Sequence, residues 1–232
     1  MIAALVLALF CAGTALAAAG YTLFGDAQLV SPGYNSNRAA QIRSDGSTLP
    51  NYGGTDLAVP AGLTVAGLTN LSTDYKFTAG TCGGGSPRFQ VSVTTPSNVT
   101  KNIFIYLGPY PNYTGCLPTI WSNTGNLAAP TNVVDASQLG GSPYEPYAAV
   151  QAAYGSYPVT GIQVVVDSFW AAGTQTTLID NVVINNSIET FEPPTPSNED
   201  QCKNGGWQNF FRANGTPFKN QGDCIQYVNT GK

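Results

Sequence analysis

A chain of 232 residues has room for one full domain and a small appendage. Only 9% of it is charged, the net charge is −4 and no basic stripe occurs, which argues against nucleic acid or an anionic membrane surface as partner. With no histidine, Ser-His-Asp and Cys-His catalysis are excluded, and an apolar fraction of 43% sets the chain apart from disordered proteins.

The first element is MIAALVLALFCAGTALAAAG, an apolar run followed by small-x-small sites at Ala15-Leu16-Ala17 and Ala17-Ala18-Ala19. This is the pattern of a cleaved export signal, read here as residues 1–19. The run is short for a membrane span of about 20 residues. The expectation is a secreted, extracellular protein with no membrane insertion after signal cleavage. Four cysteines then remain: Cys82, Cys116, Cys202 and Cys224. An even number in an exported chain reads as disulfides, and chain order favours Cys82–Cys116 and Cys202–Cys224. Zinc is a poor alternative, because the chain has neither histidine nor a Cys-x-x-Cys pair.

Residues 20–187 read as one β-domain. YTLFGDAQLV is followed by the turn-rich SPGYNSN, and RAAQIRS ends at Asp45-Gly46, a hairpin signal. In RFQVSVTT, Phe89, Val91 and Val93 alternate with Gln90 and Ser92, the mark of a half-buried strand. NIFIYLG is apolar on both faces, as in a central strand of a sandwich. SPYEPYAAVQAAYG predicts one helix, with Ser142 as N-cap, Glu145 completing a capping box, and Tyr147, Val150 and Tyr154 on one face. GIQVVVDSFW and TLIDNVVIN complete a set of strands whose spacing predicts an antiparallel sandwich.

Residues 188–198 are rich in proline and acid and predict a semi-rigid linker. Residues 199–232 predict a small Cys-bracketed helical module. Asn198 or Ser197 can cap a helix running to Cys202, and Asn220 a second running through Cys224. So small a unit buries little apolar surface and needs a staple. Trp207, Phe210, Phe211, Phe218 and Tyr227 can form its core.

Cys202-Lys203-Asn204-Gly205-Gly206-Trp207 and Phe218-Lys219-Asn220-Gln221-Gly222-Asp223-Cys224 resemble a short terminal module of exported bacterial proteins. That resemblance implies bacterial export and no particular activity. Ile179-Asp180-Asn181-Val182 resembles the last strand of jelly-roll sandwiches of the carbohydrate-binding type. The expected fold is mainly β: a jelly-roll-like sandwich with one short helix plus the stapled module.

Three kinds of site are candidates. Tyr106, Tyr110, Tyr113 and Trp121 lie around Cys116, and Tyr144 and Trp170 near other strand or helix ends, where aromatic faces can stack on sugar rings; packing of the sandwich edge is the competing use. Asp180, in phase with Leu178, Val182 and Ile184, reads as a carboxylate on an apolar face, which must be hydrogen-bonded, paired with Arg38, Arg43 or Arg88, or bound to a cation. A structural calcium site with Asp26 is the functional version of that reading. No catalytic constellation is recognised. The expectation is a non-catalytic protein that binds an extracellular polysaccharide or another cell-surface polymer. The alternatives are a surface-display protein without a small ligand and a hydrolase of unrecognised type.

Overall fold

Alternating apolar side chains build two antiparallel sheets that face one another. The computed structural model describes residues 20–46 and 50–232; the export signal expected at 1–19 lies outside them. In chain order the first strands are β1 (Tyr21–Gly25), β2 (Ala27–Val30), β3 (Ala39–Ser44), β4 (Gly53–Leu57), β5 (Leu71–Ala79), β6 (Arg88–Thr94) and β7 (Thr100–Tyr106). They are followed by β8 (Ser122–Asn123), β9 (Val133–Val134), β10 (Glu145–Pro146), β11 (Val159–Val166), β12 (Gln175–Ile184) and β13 (Ser187–Glu189). One sheet has the order β1-β4-β11-β6-β7; the other runs β2-β3-β12-β5-β8, with β13 added to β12. The short pair β9–β10 stands apart. This is a jelly-roll-like sandwich.

Its core is formed by the facing sides of the sheets. Phe89, Val91 and Val93 of β6 point inward as the alternation predicts, with Ile103, Ile105, Ile162 and Val164 beside them. Ile42, Tyr75, Phe77, Ile179, Val182 and Ile184 come from the opposite sheet. At roughly 1.5–3 kcal/mol for each large apolar side chain, this cluster is the main source of stability.

Two expectations about strands are corrected. NIFIYLG forms β7 at an edge of its sheet rather than in the centre. Its outward Phe104 is covered by the Arg88 guanidinium, 5.0 Å from the ring centroid, which explains an apolar residue on that face. Asp45-Gly46 does not close a hairpin, because β3 and β4 belong to different sheets. The turn instead begins a crossover, with the Gly46 N–H donating to the Asn51 side chain.

The predicted helix is present as α1 (Tyr147–Tyr154) but starts later than the Ser142 cap. Glu145 and Pro146 form β10 instead. The Ser142 N–H still donates to the Glu145 carboxylate at 2.8 Å, in the turn that leads into the helix. Tyr147 and Val150 are buried, and the Tyr147 hydroxyl donates to the Val65 carbonyl at 3.0 Å. A second, one-turn helix, α2 (Phe169–Ala172), joins β11 to β12.

Residues 188–198 do not behave as a free linker. Ser187–Glu189 pair with β12, and Phe191 is fully buried in the sandwich core, edge-on to Tyr21 at 4.8 Å. The Glu192 carboxylate accepts the N–H groups of Asn37 and Arg38 at 2.7 and 2.8 Å. The sandwich therefore extends past residue 187. The terminal module keeps a separate core of Cys202, Phe210, Phe218 and Cys224. Both caps form as expected: Asn198 accepts the Gln201 N–H, and Asn220 accepts the Asp223 N–H at the start of α3 (Gln221–Thr230). Phe211 leaves that core; the Arg38 guanidinium of the sandwich lies over its ring, and its N–H donates to the Pro194 carbonyl.

Both disulfides pair as predicted, Cys82 with Cys116 and Cys202 with Cys224.

Candidate functional site

The end of β7 gathers the tyrosines. An isolated bridge joins Phe104 to Asp135 through two backbone hydrogen bonds of 2.9 Å, which satisfy part of the sheet edge. This sets the Asp135 carboxylate beside Tyr106, two residues further along. The Tyr106 hydroxyl donates to Asp135 Oδ2 at 3.1 Å, and the Ser137 N–H donates to Oδ1 at 2.9 Å.

On the other side stands the turn Cys82–Pro87. Gly84 and Gly85 have φ of +60° and +77°, a region that favours glycine. A side chain at Gly84 would strike Ala171 and Ser168 of the α2 segment, and one at Gly85 would press on the Tyr106 ring. Arg88 holds the turn: its guanidinium donates to the Gly85 carbonyl and makes a two-pronged pair with Asp167 at 2.6 and 2.7 Å. The Cys82–Cys116 bridge then ties the turn to the loop that carries Tyr110 and Tyr113.

Between these walls lies a cleft of about 470 Å³, lined by Gly84, Gly85, Tyr106, Pro111, Asn112, Tyr113, Asp135, Pro143 and Tyr144. The Tyr106 and Tyr113 rings pack at 4.3 Å; Tyr113 and Tyr144 are parallel at 6.1 Å, with Tyr110 edge-on to both. Tyr113 is buried, whereas Tyr110 and Tyr144 are each 55% exposed. Burial, with help from the nearby Tyr144 and Asp135, pushes the Tyr113 phenol up to about 12. Burial and the Asp135 carboxylate likewise raise Tyr106. Both phenols are neutral at physiological pH.

Of the six aromatic residues singled out in the sequence, Tyr106, Tyr110, Tyr113 and Tyr144 come together. Trp121 and Trp170 do not join them. Trp121 packs on Tyr34 at 5.4 Å, and Trp170 stands on α2 with 81% of its surface exposed. Tyr144 completes the cluster. Its only sequence signal is a place in the proline-rich turn before the helix, about thirty residues from the other rings.

Asp180 is fully buried but does not face the core. Asp180 pairs with Asp74 and Val183 with Ser72, so β12 advances three residues while β5 advances two. This bulge at Asn181 shifts the phase: Ile179, Val182 and Ile184 point inward, and Asp180 lies on the outer face beneath residues 34–36. Its Oδ2 accepts the Tyr34 N–H at 2.7 Å and the Ser36 hydroxyl at 2.5 Å; Oδ1 accepts the Asn181 N–H at 2.8 Å. Asn181 also donates to Asp74, bridging two carboxylates that would otherwise repel across the strands. Burial raises the Asp180 carboxyl above the ordinary aspartate value, and the three donors oppose that rise.

Among the described residues Asp26 and Asp180 share no recorded partner. Asp26 is held by the Arg43 guanidinium at 2.6 Å. Among the described residues no three His, Cys, Asp or Glu side chains form a metal-binding group. Asp26 and Asp180 thus lie in two separate hydrogen-bonded networks, and among the described residues no arginine pairs with Asp180. Asp135 is the single carboxylate lining the tyrosine cleft, whereas glycoside hydrolysis needs two across the bound sugar. Among the described residues no helix is long and apolar enough to cross a membrane.

No model of a known protein family matches the chain, and no curated protein matches it.

Proposed function

We propose that this is a non-catalytic exported protein whose sandwich binds an extracellular polysaccharide, or another cell-surface polymer of neutral rings, in the tyrosine cleft. The observation that supports it is the convergence of Tyr106, Tyr113 and Tyr144 on one cleft braced by a disulfide, with Tyr110 packed edge-on against two of them and the Tyr110 and Tyr144 rings half exposed. A neutral aromatic face stacks on the C–H face of a sugar ring, and the remaining lone pairs of Asp135 and the Asn112 amide can meet hydroxyls. Disulfides and an Ala-rich leader with small-x-small sites fit an extracellular setting. The resemblance of the β12 sequence to sugar-binding jelly rolls points the same way.

A glycan array, run with and without calcium, finds the ligand. Affinity for the retained glycan is then measured on variants. Ring stacking is worth roughly 1–3 kcal/mol on the scale known for bases. Tyr110→Ala and Tyr144→Ala should each weaken binding about tenfold, at 1.4 kcal/mol per decade. Trp170→Ala should leave it unchanged, and 0.5 M salt should matter little because few charges line the cleft. A double Tyr110→Ala, Tyr144→Ala variant that binds as tightly as the parent defeats the stacking mechanism. An array with no retained glycan favours the surface-display alternative.

A further inference from the structure

Glu189 is a half-buried carboxylate that the tyrosine cleft does not use. It ends β13, opposite Val182 of β12, so it belongs to one sheet. Gly20, just before β1, belongs to the other: its carbonyl accepts the Ala58 N–H at 2.6 Å. The two meet at the seam of the sandwich. A methyl group on Gly20 would stand 2.6 Å from Glu189 Oε2, and the backbone N–H of Gly20 beside that carboxyl opposes the rise that burial imposes on it. The hydrogen-bond donor to the carboxylate is backbone too, the Phe191 N–H at 3.0 Å. Among the described residues no lysine or arginine pairs with Glu189. A half-buried carboxylate so placed gains from a nearby cation.

The sequence places one there on processing. Ala17 and Ala19 occupy the two small-residue positions of a signal-cleavage site, and Gly20 follows directly. We propose that the Ala19–Gly20 peptide bond is the processing site and that the new α-ammonium of Gly20 binds Glu189 as an ion pair across the sandwich seam. Hydrolysis by an endopeptidase of the export pathway consumes one water. It leaves a carboxylate on Ala19 and an amine on Gly20, which takes a proton at neutral pH. The Gly20 nitrogen, next to Glu189, thus changes from a neutral amide into a charged donor with three protons. Charge-assisted bonds are about twice as strong as neutral ones. Cleavage at the alternative site, after Ala17, would leave Ala18 and Ala19 as an overhang and an uncharged amide at Gly20.

The pair has a defined pH range. A free α-amino group titrates near 8, and a carboxylate partner raises that value in the folded state. Its stabilisation is therefore complete below about pH 8, down to the range in which Glu189, raised by burial, takes a proton itself. It disappears as pH rises through the raised ammonium value. The other ionisable groups around it are Tyr21 and Asp180, with Arg38 and Glu192 near Tyr21.

The test uses the full chain exported from a bacterial host. Amino-terminal sequencing should read Gly-Tyr-Thr-Leu-Phe; a start at Ala18 overturns the proposal. Protein beginning at Gly20 should melt about 4 °C or more above the same protein with Ala18 and Ala19 retained, or acetylated at Gly20, when measured at pH 6. The gap should close above pH 10. Glu189→Gln should abolish it. If that variant does not fold, the acetylated protein with Glu189 intact decides alone. Equal melting temperatures for the free and acetylated forms overturn the ion pair.

Discussion

Replacing Asp180 by alanine should lower the melting temperature by roughly 10 °C. The side chain satisfies three donors that water cannot reach freely: the Tyr34 N–H, the Ser36 hydroxyl and the Asn181 N–H. Each buried donor left without an acceptor costs about 1–3 kcal/mol. Some relaxation of residues 34–36 is expected, so the total is roughly 3–5 kcal/mol, and each kcal/mol moves the midpoint of a chain this size by about 2–4 °C. Asp180→Asn keeps the volume but not the chemistry. Both carboxylate oxygens accept from protein donors, so either orientation of the amide sets its NH2 against an N–H or hydroxyl. Acid separates the two proteins further. Burial raises the folded carboxyl above its ordinary 3.8, so the folded state holds a proton over an interval where the unfolded state has lost it. By linkage, this group's contribution grows as pH falls through that interval and is lost as pH rises through the folded value. Thermal melts of both proteins between pH 4 and pH 8 should show that slope in the parent and its loss in Asp180→Asn. A melting temperature within 2 °C of the parent for Asp180→Ala would mean that residues 34–36 do not depend on this carboxylate.

The same residue shows where sequence reasoning succeeds and where it stops. Period-two alternation in Phe89, Val91 and Val93 gave the correct inward face because β6 runs regularly beside β7 and shifts only at its far end against β11. The same alternation puts Asp180 in phase with Val182 and Ile184, but the Asn181 bulge adds one residue and reverses the phase between them. Asn181 takes φ of +48°, a conformation asparagine tolerates and the one-letter pattern does not announce. The caps at Asn198 and Asn220 were legible because capping is local, needing only a side chain three residues from the N–H it accepts. The docking of residues 188–198 was not. Proline and acid dominate that composition, yet Phe191 fills a core position and Glu192 receives the amides of Asn37 and Arg38, more than 150 residues away in the chain. The cleft is a mixed case. Tyr106, Tyr110 and Tyr113 were visible as one aromatic stretch, whereas Tyr144 is brought to them by the Phe104–Asp135 bridge, a contact between distant residues.

Removing the Cys82–Cys116 bridge should weaken both the fold and the cleft, and the two losses have separable causes. The bond closes a loop with a sequence separation of 34, and the chain-entropy model assigns such a crosslink roughly 3–4 kcal/mol. The Cys82→Ser, Cys116→Ser double variant should therefore melt about 8–12 °C lower, at 2–4 °C per kcal/mol. The bridge also joins the Gly84–Gly85 wall to the loop bearing Tyr110 and Tyr113. Once it is cut, this loop keeps few ties of its own, among them the Tyr113 N–H to the Pro109 carbonyl at 2.9 Å and the Thr119 N–H to the Phe77 carbonyl at 3.0 Å. Pre-organised rings bind more tightly because the cost of ordering them has already been met in folding. The variant should thus lose at least tenfold in glycan affinity at temperatures where it is still folded. Cys202→Ser, Cys224→Ser is the matched control: it removes a loop with a sequence separation of 22 and roughly 3 kcal/mol from the terminal module, yet touches no residue of the cleft. Binding should survive in that control. Equal loss of affinity in both double variants would mean that destabilisation alone is being measured. Unchanged affinity in the folded Cys82→Ser, Cys116→Ser protein would show that the cleft holds its shape without the bridge.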